Sequence, residues 1–139
     1  MKYSTDELLK ILQNSKTYPE TVLQDQVEVS SLSVSQALQQ LLDTKNITRS
    51  DCIRASELDR VYAYQIFEGL KKPTRDKILC LARGMEATYE EVQLLLKQTS
   101  YPPLYARNKR DSVIIYGFSH NLSVLDINEL LYDLDLTLM

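Results

Sequence analysis

Apolar residues recur at three- and four-residue intervals through most of the chain, and short polar stretches interrupt them. Ala37, Leu38, Leu41 and Leu42 share one side of a helical wheel. So do Ala63, Ile66, Phe67 and Leu70, then Ile78, Leu81, Ala82 and Met85, then Val92, Leu95 and Leu96. This period predicts amphipathic helices with one buried face. The interruptions carry helix-start chemistry. Ser4, Ser33, Thr48, Asp59, Thr74, Thr88 and Ser123 each stand just before such a run, where a side-chain oxygen can accept a bond from a free N–H of the first turn. Ser4 with Glu7, Ser33 with Gln36, and Thr88 with Glu91 have the spacing of a reciprocal capping box.

The expected helices begin after Ser4; after Pro19, over 20–27; after Ser33, to Lys45–Asn46; after Thr48, to Ser56–Glu57; and after Asp59, to Leu70. Others begin after Thr74, with Met85 on the inner face, and after Thr88. YPPLY (101–105) is a break. A helix over 106–121 follows, with Val113, Ile114, Tyr116 and Phe118, and a last one after Ser123 with Ile127, Leu130, Leu131 and Leu134 inward. Residues 22–29 alternate weakly and read as helix or loop. The predicted fold class is all-α: an N-terminal helical arm (1–32), five short helices (33–99) and a C-terminal helical pair (100–139) for packing or dimerisation.

Composition removes several function classes. The chain has 139 residues, 44% hydrophobic and 25% charged, with three glycines and four prolines, an ordinary globular balance tilted toward helix. Cys52 and Cys80 form no paired motif and lie in apolar runs, so they read as buried thiols. The single histidine, His120, reads as a helix-end or surface residue. Metal-ligand spacing, a phosphate-cradling glycine loop and a nucleophile elbow are all lacking, so neither catalysis, a metal nor a cofactor is expected. Gly69 and Gly84 read as helix C-caps. The apolar runs are too short for a membrane span and the N-terminus is not signal-like; a cytoplasmic location without membrane contact is expected.

The net charge of −3 conceals an uneven distribution. Residues 1–44 hold three Lys and Arg against six Asp and Glu, residues 45–83 hold nine against five, and residues 84–139 hold four against eight. A basic centre lies between acidic ends. Within that centre, YAYQIFEGLKKPTRDK (62–77) ends a helix on Gly69, passes through Lys71 and Lys72, and starts again after Pro73–Thr74.

The segment ITRSDCIRASELDRVYAYQIFEG (47–69) resembles the Cro/lambda-repressor-like helix-turn-helix family, also called the xenobiotic-response-element type. Ile47, Thr48, Arg49, Cys52, Ile53, Leu58, Asp59 and Gly69 hold the pattern's apolar, capping and closing places, and Ala63 and Ile66 the second helix's buried places. The likeness covers roughly residues 33–99. The rest of the chain is similar to a narrower group of proteins from Firmicute-type bacteria, which implies one recurring architecture and no particular function. Two places depart from the family pattern. Glu57 stands where the family has glycine, implying a locally altered turn, and Ile53 replaces a small alanine, implying wider helix spacing.

The resemblance implies a five-helix DNA-binding domain that reads double-stranded DNA in the major groove with the helix around 59–68. Arg60 and Gln65 are the candidates for base contacts, to guanine and adenine respectively. Arg49, Lys71, Lys72 and Arg75 are the candidates for phosphate contacts, and Tyr62 and Tyr64 flank the reading face. Arg54 and Lys77 fall nearer the flanks. One such module contacts few base pairs, so a homodimer is implied, with 106–136 as its candidate element. The alternative is a protein-interaction adaptor on the same fold, which the nine tyrosines and the acidic flanks suit.

Overall fold

The computed structural model describes residues 4–14, 16 and 32–139; the helix expected over 20–27 lies outside them. The described residues form eight α-helices and no strand. The chain divides into two compact units, Met1–Ser31 and Leu32–Met139. In the first, α1 (Thr5–Asn14) starts from the expected capping box: Glu7 N–H donates to Ser4 Oγ at 3.1 Å, and Ser4 N–H to Glu7 Oε1 at 3.3 Å.

The second unit contains α2 (Val34–Lys45), α3 (Arg49–Ser56), α4 (Arg60–Phe67), α5 (Arg75–Gly84), α6 (Tyr89–Gln98), α7 (Lys109–Ser119) and α8 (Val124–Asp133). Six of the seven start on the residues read from sequence: Ser33, Thr48, Asp59, Thr74, Thr88 and Ser123 each accept a bond from a first-turn N–H. The seventh cap, Asn108, accepts from Asp111 N–H and shortens the helix expected over 106–121.

Six of the helix ends share one closure. Asn46, Gly69, Glu86, Ser100, Asn121 and Asp135 all have positive φ. After each, the next N–H donates to a carbonyl five residues back: Ile47 to Leu42, Leu70 to Gln65, Ala87 to Ala82, Tyr101 to Leu96, Leu122 to Gly117 and Leu136 to Leu131, at 2.8–3.0 Å. This satisfies carbonyls that a helix end leaves open. Two inward positions are corrected by it. Leu70 and Leu134 follow the last helical turn and are 72% and 57% exposed, because the chain has already left the helix there.

α5 is the central element. It packs on α3, α6 and α8 and buries every residue from Ile78 to Gly84. The sequence pattern marked only Ile78, Leu81, Ala82 and Met85 as inward. Leu79 and Cys80 are also buried, on a helix that packs against α8 as well as against α3 and α6. The two free thiols are buried as expected, and desolvation pushes Cys52 up to about 12 and Cys80 up to about 11. Both therefore stay protonated and unreactive near neutral pH.

Gly84 is not a C-cap. It is the last helical residue of α5, and the closure falls on Glu86. A Cβ there would lie 2.4 Å from the Cys52 carbonyl oxygen and 3.0 Å from Ser56 N, so the position is a backbone-to-backbone crossing of α5 and α3.

Two ion pairs join α5 to α7 reciprocally. Arg75 donates to both oxygens of Asp111 at 3.0 and 2.8 Å, and Arg110 donates to both oxygens of Asp76 at 2.9 Å. Each helix supplies one arginine and one aspartate in adjacent positions. Residues 100–139 thus belong to the same compact unit as 33–99.

In the turn between α3 and α4 Glu57 itself adopts the left-handed conformation, at φ 62°, ψ 15°. Leu58 N–H donates to Ser56 Oγ, completing the turn. A non-glycine residue in this conformation costs about 1 kcal/mol. Glu57→Gly is therefore expected to raise stability by about 0.5–1 kcal/mol and Tm by a few degrees, as differential scanning calorimetry would register.

Candidate nucleic-acid interface

α3 and α4 are eight-residue helices joined by the short turn at 57–59, and they pack on each other. Asp59 opens α4 by accepting Tyr62 N–H at 2.9 Å. The inner face of α4 is Ala63, Ile66 and Phe67, all buried. This orientation turns Arg60, Val61 and Glu68 to solvent and leaves Tyr62, Tyr64 and Gln65 half-buried. Gly69, at φ +79°, ends the helix, and the chain leaves through exposed Lys71 and Lys72.

The eight candidate residues do not form one set. Arg60, Tyr64, Gln65, Lys71 and Lys72 lie on α4 and its exit loop. The Arg60 guanidinium sits 5.7 Å from the Tyr64 ring centre, an arrangement that favours a cation over the π face. Arg60, Lys71 and Lys72 form no ion pair with any described residue. Tyr64 and Arg60 also line an open cleft of about 440 Å³ between α3 and α4, together with Ser50 and Arg54. Helical spacing alone predicts a flank position for Arg54. The turn of the chain at Glu57 brings it to the same cleft, a placement that helix periodicity does not encode.

The other three are engaged within the protein. Arg75 is corrected most firmly: besides its two bonds to Asp111, it donates to the Pro102 carbonyl at 2.9 Å and the Pro103 carbonyl at 3.0 Å. Nearly all its donors are committed, so it holds the 102–111 segment and not a phosphate. Burial alone would raise the Asp111 carboxyl; the bonds from Arg75 and from Tyr105 N–H hold it below the usual carboxylate range. Arg49 lies over the Phe67 ring at 5.3 Å and bridges Gln39 and Glu68 at 2.7 and 3.1 Å, bracing the start of α3 against the end of α4. Tyr62 packs against the core on the side of Tyr101, whose hydroxyl donates to the Pro73 carbonyl. Its proximity to Tyr101 adds to the burial that raises the Tyr101 hydroxyl.

A second opening, of about 340 Å³, is lined by Ser33, Val34 and Ser35 at the start of α2 and by Gly69, Lys71 and Lys72. Ser35 Oγ approaches within 3.4 Å of where a Cβ on Gly69 would lie. The positive end of a twelve-residue helix and two lysines thus border one concavity. Among the described residues, no cluster of His, Cys, Asp and Glu has the make-up of a metal site, and no helix is long and apolar enough to cross a membrane.

No family model matches the sequence, and comparisons with curated proteins and with solved structures return no match.

Proposed function

We propose that the protein is a DNA-binding regulator of the helix-turn-helix type that presents α4 to the major groove. The observation that carries this reading is the α3–turn–α4 unit, with its outer face and exit loop bearing Arg60, Lys71 and Lys72 free of ion pairs. Such a helix pair, joined by a left-handed turn and closed by glycine, is the geometry that places one helix in a groove and flanking amides and cations on phosphates. Arg60 would read guanine and Gln65 adenine. Val61, 64% exposed beside Arg60, is suited to a thymine methyl. Lys71 and Lys72, with the start of α2, would hold the backbone.

A protein-interaction adaptor is the second reading. Val61 and Leu70 are both largely exposed, and the nearby Glu57, Asp59 and Glu68 of the same segment are exposed as well. A mixed apolar and acidic surface of this kind suits a protein partner as well as a duplex.

Anisotropy of labelled random-sequence duplex DNA at low and moderate salt, followed by selection of bound sequences, tests the first reading. Two phosphate-contacting lysines per chain predict a shallow dependence, with log K falling by about 2 per decade of salt for each bound protomer. Lys71→Glu with Lys72→Glu is expected to weaken binding about 100-fold across all sequences and flatten that slope. Arg60→Ala is expected to relax the selected sequence more than it lowers non-specific affinity. Enrichment of a two-fold symmetric site would establish a dimer on DNA. Absence of binding at low salt would leave the adaptor.

A further inference from the structure

α8 has two faces of opposite character. Val124, Ile127 and Leu131 are buried within the unit. The outward face combines large apolar side chains with carboxylates. Leu125 is 61% exposed and Tyr132 73%. Seven residues apart, they stand on one side of the helix, about 10.5 Å from each other along its axis. Asp126, Glu129 and Asp133 make a second ridge beside them at spacings of three and four residues. None of these carboxylates pairs with a described Lys or Arg. From Asp111 to Met139 the chain has five Asp and Glu and no Lys or Arg, so the segment itself supplies no cation to them.

The face is also held in shape. Ser123 caps its start, and Asp135 closes its end in the left-handed conformation, with Leu136 N–H donating to Leu131 O at 2.8 Å. The chain end is fixed as well: Arg110 donates to the Thr137 and Leu138 carbonyls, and Met139 N–H donates to Asn128 Oδ1 at 2.9 Å. A surface prepared in this way loses little conformational freedom when covered.

We propose that the outward face of α8 docks a cationic amphipathic helix of a protein partner. The partner's apolar side chains, spaced seven apart, would cover Leu125 and Tyr132, and its Lys and Arg residues would meet the carboxylate ridge. Charge decides the occupant. A symmetric contact with a second copy would set this ridge against itself with no cation between, and like charges opposed across an interface are disfavoured. A nucleic acid is repelled for the same reason.

The test uses the full chain and no DNA, so its failure and that of the regulator reading are separable. The probe is a labelled 18-residue peptide with leucines at seven-residue spacing flanked by lysines, compared with a shuffled peptide of the same composition. The amphipathic peptide is expected to bind saturably, more weakly at high salt, and at least about tenfold more tightly than the shuffled one. Leu125→Ser with Tyr132→Ser is expected to weaken it about tenfold. Asp126→Asn with Glu129→Gln and Asp133→Asn is expected to do the same at unchanged helix content by circular dichroism. Leu94→Ser, at another exposed apolar position, should leave it unaltered. Equal binding of the shuffled peptide, or undiminished binding by both α8 variants, overturns the proposal. So does a dimer, measured by light scattering, that the Leu125 and Tyr132 changes dissolve, since the face would then belong to a second copy.

Discussion

Asp111→Ala is expected to lower stability by about 3 kcal/mol and Tm by roughly 10 °C. The carboxylate is 10% exposed at its side chain and accepts both guanidinium bonds from Arg75, at 3.0 and 2.8 Å, and Tyr105 N–H at 3.0 Å. Removing it leaves the Arg75 charge, itself only 20% exposed, without a counter-charge, and breaking such a pair costs more than the pair contributes net. The change also frees the 102–105 segment that Arg75 and Asp111 fasten together. Arg75→Lys alone is expected to destabilise as well, because an ammonium cannot form the two parallel bonds to Asp111 while also reaching the Pro102 and Pro103 carbonyls.

The same pair makes a prediction about pH. Burial opposes ionisation of Asp111, but Arg75 and the Tyr105 amide outweigh it and hold the folded-state value below that of a free carboxyl. Glu91 is lowered in the same way: burial opposes ionisation, and bonds from Lys45 and Thr88 prevail. A depressed carboxyl contributes stability that is present above its unfolded-state value, about 4, and is lost as pH falls through the folded one. The wild-type protein should therefore lose stability progressively below about pH 4, and Asp111→Ala should lose less of its remaining stability over that interval. Denaturant midpoints measured from pH 6 down to pH 2.5 check both statements.

Gly84→Ala is expected to destabilise by about 3 kcal/mol even though alanine is the better helix former by about 1 kcal/mol. The new methyl would meet backbone, the Cys52 carbonyl oxygen at 2.4 Å and Ser56 N at 3.0 Å, so no side-chain rotation relieves it. α3 would have to move away from α5 at their closest approach, where Cys52 Sγ–H now donates to the Leu81 carbonyl. Because α4 is carried on α3, the displacement would also shift the proposed reading helix. The expected signature is a lowered unfolding midpoint and, if the proposed DNA binding holds, a loss of sequence preference in the fraction that remains folded. The parallel case at Gly117 meets the buried Ile127 side chain at 2.3 and 2.5 Å. Trimming Ile127 to alanine should partly rescue Gly117→Ala, whereas no side-chain change can rescue Gly84→Ala.

The helices were legible because their signals are local. An oxygen at the cap accepts the N–H three residues on, just ahead of the helix's buried positions, and this placed six of the seven starts in the second unit. Asn108 escaped because no apolar residue at helical spacing follows it until Val113. The helix ends were partly legible. A left-handed residue followed by Ile47, Leu70, Ala87, Tyr101, Leu122 or Leu136 closes six of them, but five of those six left-handed residues are not glycine and carry no strong individual signal.

The site was less legible than the fold. Sequence spacing assigned Arg49, Lys71, Lys72 and Arg75 one common role, because four cations around a short helix pair look alike in one dimension. Tertiary packing separates them: Gln39, Glu68 and the Phe67 ring engage Arg49, and the packing of α7 and the segment before it engages Arg75. That packing brings Asp111 and the Pro102 and Pro103 carbonyls to Arg75 and Arg110 to Asp76, while Lys71 and Lys72 stay in solvent. The burial of Leu79 and Cys80, and the use of Gly84 as a crossing point instead of a cap, have the same origin: each depends on a helix distant in sequence. The sequence by itself determined where helices start, which face of each is apolar, and that the fold is all-α, since hydrogen-bond capping and helical period act within about ten residues. The tertiary structure alone decided which charges are paired and which are free, because a charge's partner is set by what packs beside it.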